Sequence, residues 1–486
     1  LSGRYPVEEC TFSTVYGPLE GYRVAAGREV AERIERQTHC AADLYNVDLR
    51  LDQRAMAEAG LVPCSYPGES RFALDFPVPL RVAEMEALGN PYRGGPLPPV
   101  EVRGDGRREL LEGPEGVLLE DLFSLLGSLD PDVVLMPCAD VWVRRIMDRA
   151  RALGIEQTLS RSGRFRPLAG KSYWSYGRVY HKDPALIPEG RVVIDTERYF
   201  VFREGGLPGV LMASRLSGLP PNLTSRFTPG TLISSYEVYE ALRRGIAVPF
   251  RKRDPEVPRG SSELAACDKG GMIFQPGPGV YPDVHELDFS SLYPAVIVKY
   301  NLSPEVPDGQ GKEGILPAVL APLLDMRGRS KQMKKTSPAY AGVDSVLKWM
   351  LVTCFGYTGY RNAKFGRIEV HEGITSRARE ILLVTKEIAE GMDLTVLHGM
   401  VDCVWVRGEG IGVFRERVEA AVGIPTELET YGWITFLPLA DGNGAYNRYY
   451  GRLAGGEMKV RGVAARRGDT PAYIRRMQEE LLGVMG

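Results

Sequence analysis

The sequence predicts a multidomain protein of mixed α/β and α+β class, and three observations carry that expectation. A chain of 486 residues exceeds what one hydrophobic core organises, so roughly two to four domains are expected. Between about residue 80 and residue 250, strand-like and helix-like apolar patterns alternate, which implies a parallel or mixed sheet covered by helices. Further on, two apolar strands each end in an aspartate, Asp288 and Asp402, with two strongly patterned helices between them in sequence.

Composition narrows the class without fixing it. With 44% hydrophobic and 25% charged residues the chain reads as an ordinary globular protein. A formal net charge of −2 excludes no partner, because 60 Lys and Arg residues can gather on one face. The seven cysteines are scattered, odd in number and without a CxxC pair. That argues against a disulfide framework and a zinc site, and it fits a reducing, cytoplasmic compartment. No signal peptide and no bilayer-length apolar run is found, so no membrane partner is expected. The chain opens on Leu1 rather than Met, which fits a start trimmed from a longer sequence.

Taken in order, residues 1 to 79 mix short strands with a helix over Glu29–Gln37, a strand over Leu44–Leu49 and a helix beginning at Arg54–Glu58. The Pro-rich Phe76-Pro77-Val78-Pro79 marks a boundary. Leu80-Arg81-Val82 opens a strand. Leu118–Leu129 carries apolar residues at 118, 119, 122, 125, 126 and 129, a helical stripe. It is followed by the strand Asp132–Met136 and the helix Val141–Leu153, which Gly154 ends. Val192–Asp195 is another strand, and Tyr236–Arg244 a helix closed by Gly245. The charged, Pro/Gly-rich stretch 251–262 is the second large boundary.

Beyond it, an apolar strand leads into Asp288, and Ser290 is positioned to cap a helix over Leu292–Tyr300. Residues 317 to 335 form one helix, stopped by Ser337-Pro338. A second helix has apolar residues at 343, 346, 347, 350, 351, 354 and 355, and the two make an antiparallel hairpin. Asp402 sits at the tip of a β-hairpin. Carboxylates held at strand ends suit divalent cations with oxygen ligands, Mg²⁺ above all, while a turn-capping role is the alternative for each taken singly.

Arg327 and Lys331 are four apart and share a helix face, and Lys348 lies about 140° round its helix from Val343, off the apolar stripe. Three such cations beside two carboxylates suit a triphosphate bridged to Mg²⁺; a solvated basic face is the alternative. Towards the C-terminus, Tyr446, Arg448, Tyr449, Tyr450, Arg452, Lys459, Arg461, Arg466, Arg467, Arg475 and Arg476 interleave aromatics with cations. That pattern suggests a track for a nucleic-acid backbone, with a plain solvated surface as the alternative.

These stretches together resemble family B DNA polymerases. Asp288-Phe-Ser-Ser-Leu-Tyr-Pro-Ala-Val-Ile resembles the family's motif A, DxxSLYPSII, with Ala295 in place of the second Ser. Lys348-Trp-Met-Leu-Val-Thr-Cys-Phe-Gly resembles motif B, KxxxNSxYG, with Val352, Thr353 and Phe355 replacing Asn, Ser and Tyr. His398-Gly-Met-Val-Asp-Cys resembles motif C, YGDTDS, with Met400 where the first Asp stands. Leu323 to Lys331 is similar to LLxxRxxxK, and Val460 to Asp469 is similar to KGxxxxRRD.

The resemblance implies a right-hand polymerase architecture. Its parts are an N-terminal domain (1–79), a degenerate RNase H-like exonuclease-type domain (80–255), a palm in two parts (256–316 and 363–469), helical-hairpin fingers (317–362) and a thumb remnant (470–486). It implies template-directed addition of deoxynucleotides to the 3′ end of a primer paired to template DNA, by two-metal catalysis with Mg²⁺, Mn²⁺ being a possible substitute. Asp288 and Asp402 match the metal-binding acids, and the carbonyl of Phe289 the usual extra ligand. Arg327, Lys331 and Lys348 match the triphosphate cations. Tyr293, with Leu292 beside it, matches the ring that packs under the sugar and excludes a 2′-hydroxyl. Tyr446, Arg448, Tyr449, Lys459, Arg461, Arg466 and Arg467 are the expected DNA contacts.

Upstream, Asp130-Pro-Asp-Val-Val-Leu-Met-Pro-Cys-Ala-Asp-Val-Trp-Val resembles the second exonuclease motif, DPDVxxxYNxxxFD, with Cys138 replacing Asn and Val143 replacing the metal-binding Asp. The first motif is reduced to Glu84 or Glu86, and the third lacks its Asp near Ile233–Tyr239. Exonuclease chemistry needs about four carboxylates close together, so no proofreading is expected. The small thumb implies weak duplex grip, which a sliding clamp or accessory subunits would have to supply. The combination resembles the divergent second branch of archaeal family B polymerases, linked to error-prone or damage-tolerant repair synthesis. A catalytically inactive DNA-binding or replication scaffold of the same fold is the rival expectation.

Overall fold

The computed structural model describes residues 5–76, 79–175, 177–251, 258–267 and 269–485. The chain divides into two compact units, one of Leu1–Arg251 with Pro322–Cys354 and one of Lys252–Ala321 with Phe355–Gly486. Of the two expected boundaries, Pro77-Val78 and residues 252–257 lie outside the described residues.

The first unit begins with an antiparallel hairpin, Val7–Thr14 and Gly17–Val24, and two helices, Arg28–Gln37 and Leu51–Ala59. The strand expected over Leu44–Leu49 does not form. Asn46 has a φ of +57°, and its amide and side chain close onto the backbone of Val248 instead. A pair of long-range hydrogen bonds through Asn46 has overridden the apolar pattern.

A five-stranded sheet follows, in the order Val192–Asp195, Val133–Met136, Val82–Ala87, Val100–Gly104 and Arg107–Leu111. The first three strands are parallel and the last two antiparallel. The helices Glu115–Leu129 and Ala139–Leu153 pack on it through the apolar stripes read from the sequence: Leu118, Leu119, Leu122 and Leu126 meet Trp142, Val143 and Ile146 in one core. The helix expected over Tyr236–Arg244 starts earlier, at Pro229, where the Thr228 side chain caps it.

The helical hairpin also belongs largely to this unit. Its helices run Ile315–Thr336 and Ala341–Thr358, with Val343, Val346, Leu347, Met350, Leu351 and Cys354 buried as the stripe demands. The second helix docks on the helical segment Phe200–Ser217, which is kinked at Gly206, at a close crossing of Gly205 and Gly209 with Gly342 and Val346. A Cβ placed on Gly342 would stand 1.9 Å from the Gly205 carbonyl oxygen. Around this crossing, Trp349 meets Phe200 edge to face at 5.1 Å, and Glu204 accepts from Ser345 and from the Trp349 indole. Arg329 donates to the Phe72 carbonyl and Tyr340 to Asp75.

The second unit is built on a seven-stranded antiparallel sheet. Its order is Ile273–Phe274, Thr395–Met400, Cys403–Arg407, Gly279–Phe289, Thr426–Pro438, Gly444–Leu453 and Met458–Arg461. The long helix Ile368–Glu390 packs on the Thr395–Met400 and Cys403–Arg407 strands and touches the helices Leu292–Lys299 and Ile411–Val422. Val284, Trp405, Tyr431, Ile434, Phe436 and Tyr449 form the apolar cluster of the sheet. A last helix, Ala472–Met485, occupies the expected thumb remnant.

Candidate active site

Three adjacent strands of the second unit build the acidic site. Asp288 ends the Gly279–Phe289 strand, in register with Cys403 on one side and Glu427 on the other. Asp402 lies in the two-residue turn before Cys403, and its carbonyl accepts from the Phe289 amide at 2.8 Å. Sheet pairing therefore fixes the two acids as neighbours. Val401, the other turn residue, has a φ of +56°, a conformation a β-branched side chain rarely adopts, and its amide is pinned to the Met272 carbonyl at 3.0 Å.

The environments of the two acids differ. Asp288 is exposed, whereas Asp402 is half-buried. Burial raises the Asp402 carboxyl above its ordinary range, and the negative charge of Glu286 adds to the effect. Among the described residues no ion pair satisfies Asp402. An acid placed in this way, beside Asp288 and the backbone of Phe289, offers hard oxygen donors to a divalent cation, so the residues fit one. Among the described residues no group of three or more acidic, His or Cys side chains converges as a ready-made cage. The residue that departs from the motif explains part of this: Met400 packs into the Val284–Trp405–Tyr431 cluster.

Further acids that the sequence reading missed surround the pair. Glu286 lies two residues before Asp288, hence on the same face of the strand, and is buried. Lys459 donates to it at 2.7 Å and also to Glu429, while the Tyr431 hydroxyl donates to Glu286 as well. Ser290, expected to cap the next helix, instead donates to Glu427 at 3.1 Å, and the residue at the helix N-cap is Ser291, with no side-chain cap. Period-two alternation, Glu427-Glu429-Tyr431, was the signal that could have found this strand.

Tyr293 and Leu292 begin the helix after Asp288. Leu292 is buried, so its side chain faces the core. The Tyr293 ring stacks on Phe355, with centroids 4.1 Å apart and planes at 29°. Burial raises the Tyr293 phenol, with the Asp402 charge adding to it and Arg379 opposing it.

The three expected triphosphate cations lie in the other unit, and their surroundings are those of the hairpin itself. Arg327 and Lys334 both pair with Asp344, which is 3% exposed. Burial lowers the Arg327 guanidinium from its ordinary value. Lys331 is half-buried and Lys348 exposed; Val352, where the motif has Asn, is 58% exposed.

Two residues of the C-terminal basic-aromatic stretch do not form part of an open track. Tyr449 is 3% exposed in the sheet's core, because its strand alternates inward at that position, and Lys459 is tied up by Glu286 and Glu429. Tyr446, Arg448, Arg461, Arg466 and Arg467 are exposed, the last paired with Asp469.

In the segment expected to be exonuclease-like, Val143 is core. Asp140 is paired with Arg226 and accepts from Tyr199. Cys138 donates to Glu197 at 3.2 Å, and burial pushes its thiol up to about 12, Glu197 adding to the effect. Asp195 is fully buried and raised by that burial, with the Asp140 charge adding to it. Glu84 and Glu86 are exposed, Glu84 lying 3.5 Å from Arg103.

Residues 240–311 match the family model for DNA polymerase family B. The chain is 34% identical over 286 residues to DNA polymerase 2 of Saccharolobus solfataricus, covering 56% of this chain and 44% of that protein. It is 24% identical over 419 residues to the DNA polymerase of Archaeoglobus fulgidus, covering 80% of this chain and 49% of that one. The chain thus spans less than half the length of these relatives. The structure of the family B DNA polymerase from Pyrobaculum calidifontis superposes with a TM-score of 0.66 at 24% identity, covering 95% of this chain and 74% of that one. The fold is a mixed α/β multidomain one shared with that polymerase.

Proposed function

We propose, from the premise that this chain is related to family B DNA polymerases, that it adds deoxynucleotides to a primer 3′ end under the direction of a template strand. The observation that supports this most is that Asp288, at a strand end, and Asp402, in the turn that leads into the paired neighbouring strand, are held side by side with Tyr293 beside them. Two Mg²⁺ ions, or Mn²⁺ in their place, would lower the pKa of the primer 3′-hydroxyl and steady the departing pyrophosphate. Asp288 and Asp402 would hold that charge at the ends of the sheet's central strands. Tyr293 forms the floor under the incoming sugar. Lys331 and Lys348 offset charge on the triphosphate, and Arg327 joins them where its pairing with Asp344 yields. Arg448, Arg461 and Arg466 are exposed cations that would meet the DNA backbone, and Tyr446 is an exposed ring of the same stretch.

We also infer that the chain does not proofread. Val143 gives its motif position to the core, Arg226 neutralises Asp140, and among the described residues no group of three or more acidic, His or Cys side chains converges to hold a metal there. Without proofreading, synthesis in repair or across lesions is the role that fits. The second reading, a DNA-binding scaffold without turnover, is favoured by Met400 and Val352.

Primer extension with Mg²⁺ or Mn²⁺ is the test. The parent chain extends the primer and Asp402→Asn loses about a hundredfold or more of the rate; without nucleotides the primer stays intact. DNA binding with no extension in either metal establishes the scaffold reading instead.

A further inference from the structure

Behind the Tyr293 ring stands a third ring that neither the motifs nor the family comparisons bring into view. Phe355 lies between Tyr293 and His371: its centroid is 4.1 Å from Tyr293 with planes at 29°, and 4.2 Å from His371 with planes at 19°. All three residues are half-buried, so the stack is not simply core packing. His371 sits on the long helix Ile368–Glu390, the same helix that packs on the strands flanking Asp402. Its ring is located by two contacts. Nδ1 lies 3.3 Å from the Thr358 hydroxyl, which itself donates to the Phe355 carbonyl at 2.6 Å. On the other side is Gly359, where a Cβ would come within 2.9 Å of Nδ1, so the close approach depends on the glycine. Phe355, unlike a tyrosine, has no hydroxyl to anchor its ring by hydrogen bonding, and a ring held by stacking alone is only as fixed as the surface behind it.

We propose that His371 is a positioning residue for sugar selection. Through Phe355 it sets the plane and height of the Tyr293 ring, and so the clearance available to a ribonucleotide's 2′-hydroxyl. The inference rests on the reading of Tyr293 as the ring beneath the incoming sugar. A loosely backed ring can tilt away from an extra hydroxyl, whereas a ring clamped by a helix cannot, so discrimination depends on the backing as well as on the ring.

The test compares single-nucleotide incorporation of deoxy- and ribonucleotides by the full chain, His371→Ala, His371→Phe and Tyr293→Ala. Selectivity in kcat/KM is expected to fall about threefold to tenfold in His371→Ala, the worth of one aromatic pair, through a lower ribonucleotide KM. His371→Phe restores it, which loss of general stability would not allow. A readout independent of turnover accompanies it: the chain is labelled with fluorotyrosine and the Tyr293 resonance is assigned by its loss in Tyr293→Phe. That resonance shifts in His371→Ala and returns in His371→Phe. An unmoved resonance overturns the proposal whatever the activity. A moved resonance with unchanged selectivity in His371→Ala, while Tyr293→Ala loses selectivity, overturns the inference and leaves the sugar reading standing. Unchanged selectivity in Tyr293→Ala overturns both.

Discussion

Asp402 occupies a turn in which Val401 takes a strained positive φ and burial raises its own carboxyl, features that accord with the metal-binding role proposed for it. Its neighbour Met400 lies in apolar contact where a second acid would be expected. Met400→Asp is therefore expected to lower the Mg²⁺ concentration for half-maximal extension by about tenfold, the Coulombic gain of one nearby carboxylate, and to lower Tm by removing an apolar contact. A metal titration read beside a melting curve checks both. A different buried acid makes a pH prediction. Burial alone raises Glu237 from 4.5 to about 8, so the folded chain holds a proton there that the unfolded chain releases. The contribution to stability is intact below about pH 4.5 and is lost as pH rises towards 8. Glu237→Gln should melt several degrees above the parent at pH 8.5 and close to it at pH 5. At this scale the sequence was legible in placement, Asp288 lying at a strand end and Asp402 in a hairpin turn as expected, while their chemistry and that of Tyr293 are proposals. It was silent on Glu286 and His371, whose meaning comes from partners far along the chain.

The helical hairpin shows the same division one level up. Its apolar stripe was readable because 3.6-residue periodicity is a property of the helix alone, and the buried set follows it down to Cys354. Phe355, the last member, leaves the stripe to stack on Tyr293. Asp344 was not readable, since an acid in a helix ordinarily faces water; here the facing helix supplies Arg327 and Lys334. Removing one member of a buried ionic group strands the others, so Asp344→Ala is expected to cost about 3 kcal/mol, seen as a lower urea midpoint. Asp344→Asn, which keeps hydrogen-bonding capacity, should cost less. The failed strand at Leu44–Leu49 teaches the converse: a short apolar alternation yields to one asparagine whose amide and side chain bond the backbone of Val248, some two hundred positions away.

For the whole molecule, a net charge of −2 conceals a C-terminal region whose available cations and rings are fewer than the sequence suggests, Lys459 being neutralised and Tyr449 enclosed. DNA affinity should accordingly depend on salt through Arg448, Arg461 and Arg466. Replacing Arg448 and Arg461 by Ala should reduce the slope of log K against log salt by about 1 each, and Lys459→Ala should leave that slope unchanged. The order of motifs made the general architecture legible, but not the assignment of the hairpin's middle to the first compact unit, because that depends on contacts with residues 72, 75, 204 and 205 over a hundred positions away. The crossing of Gly205 and Gly342 has a consequence for how such a chain can drift. Where two backbones touch with nothing between them, neither position can accept even a methyl group unless the helices part. These two glycines are thus sealed against substitution for as long as the hairpin stays docked.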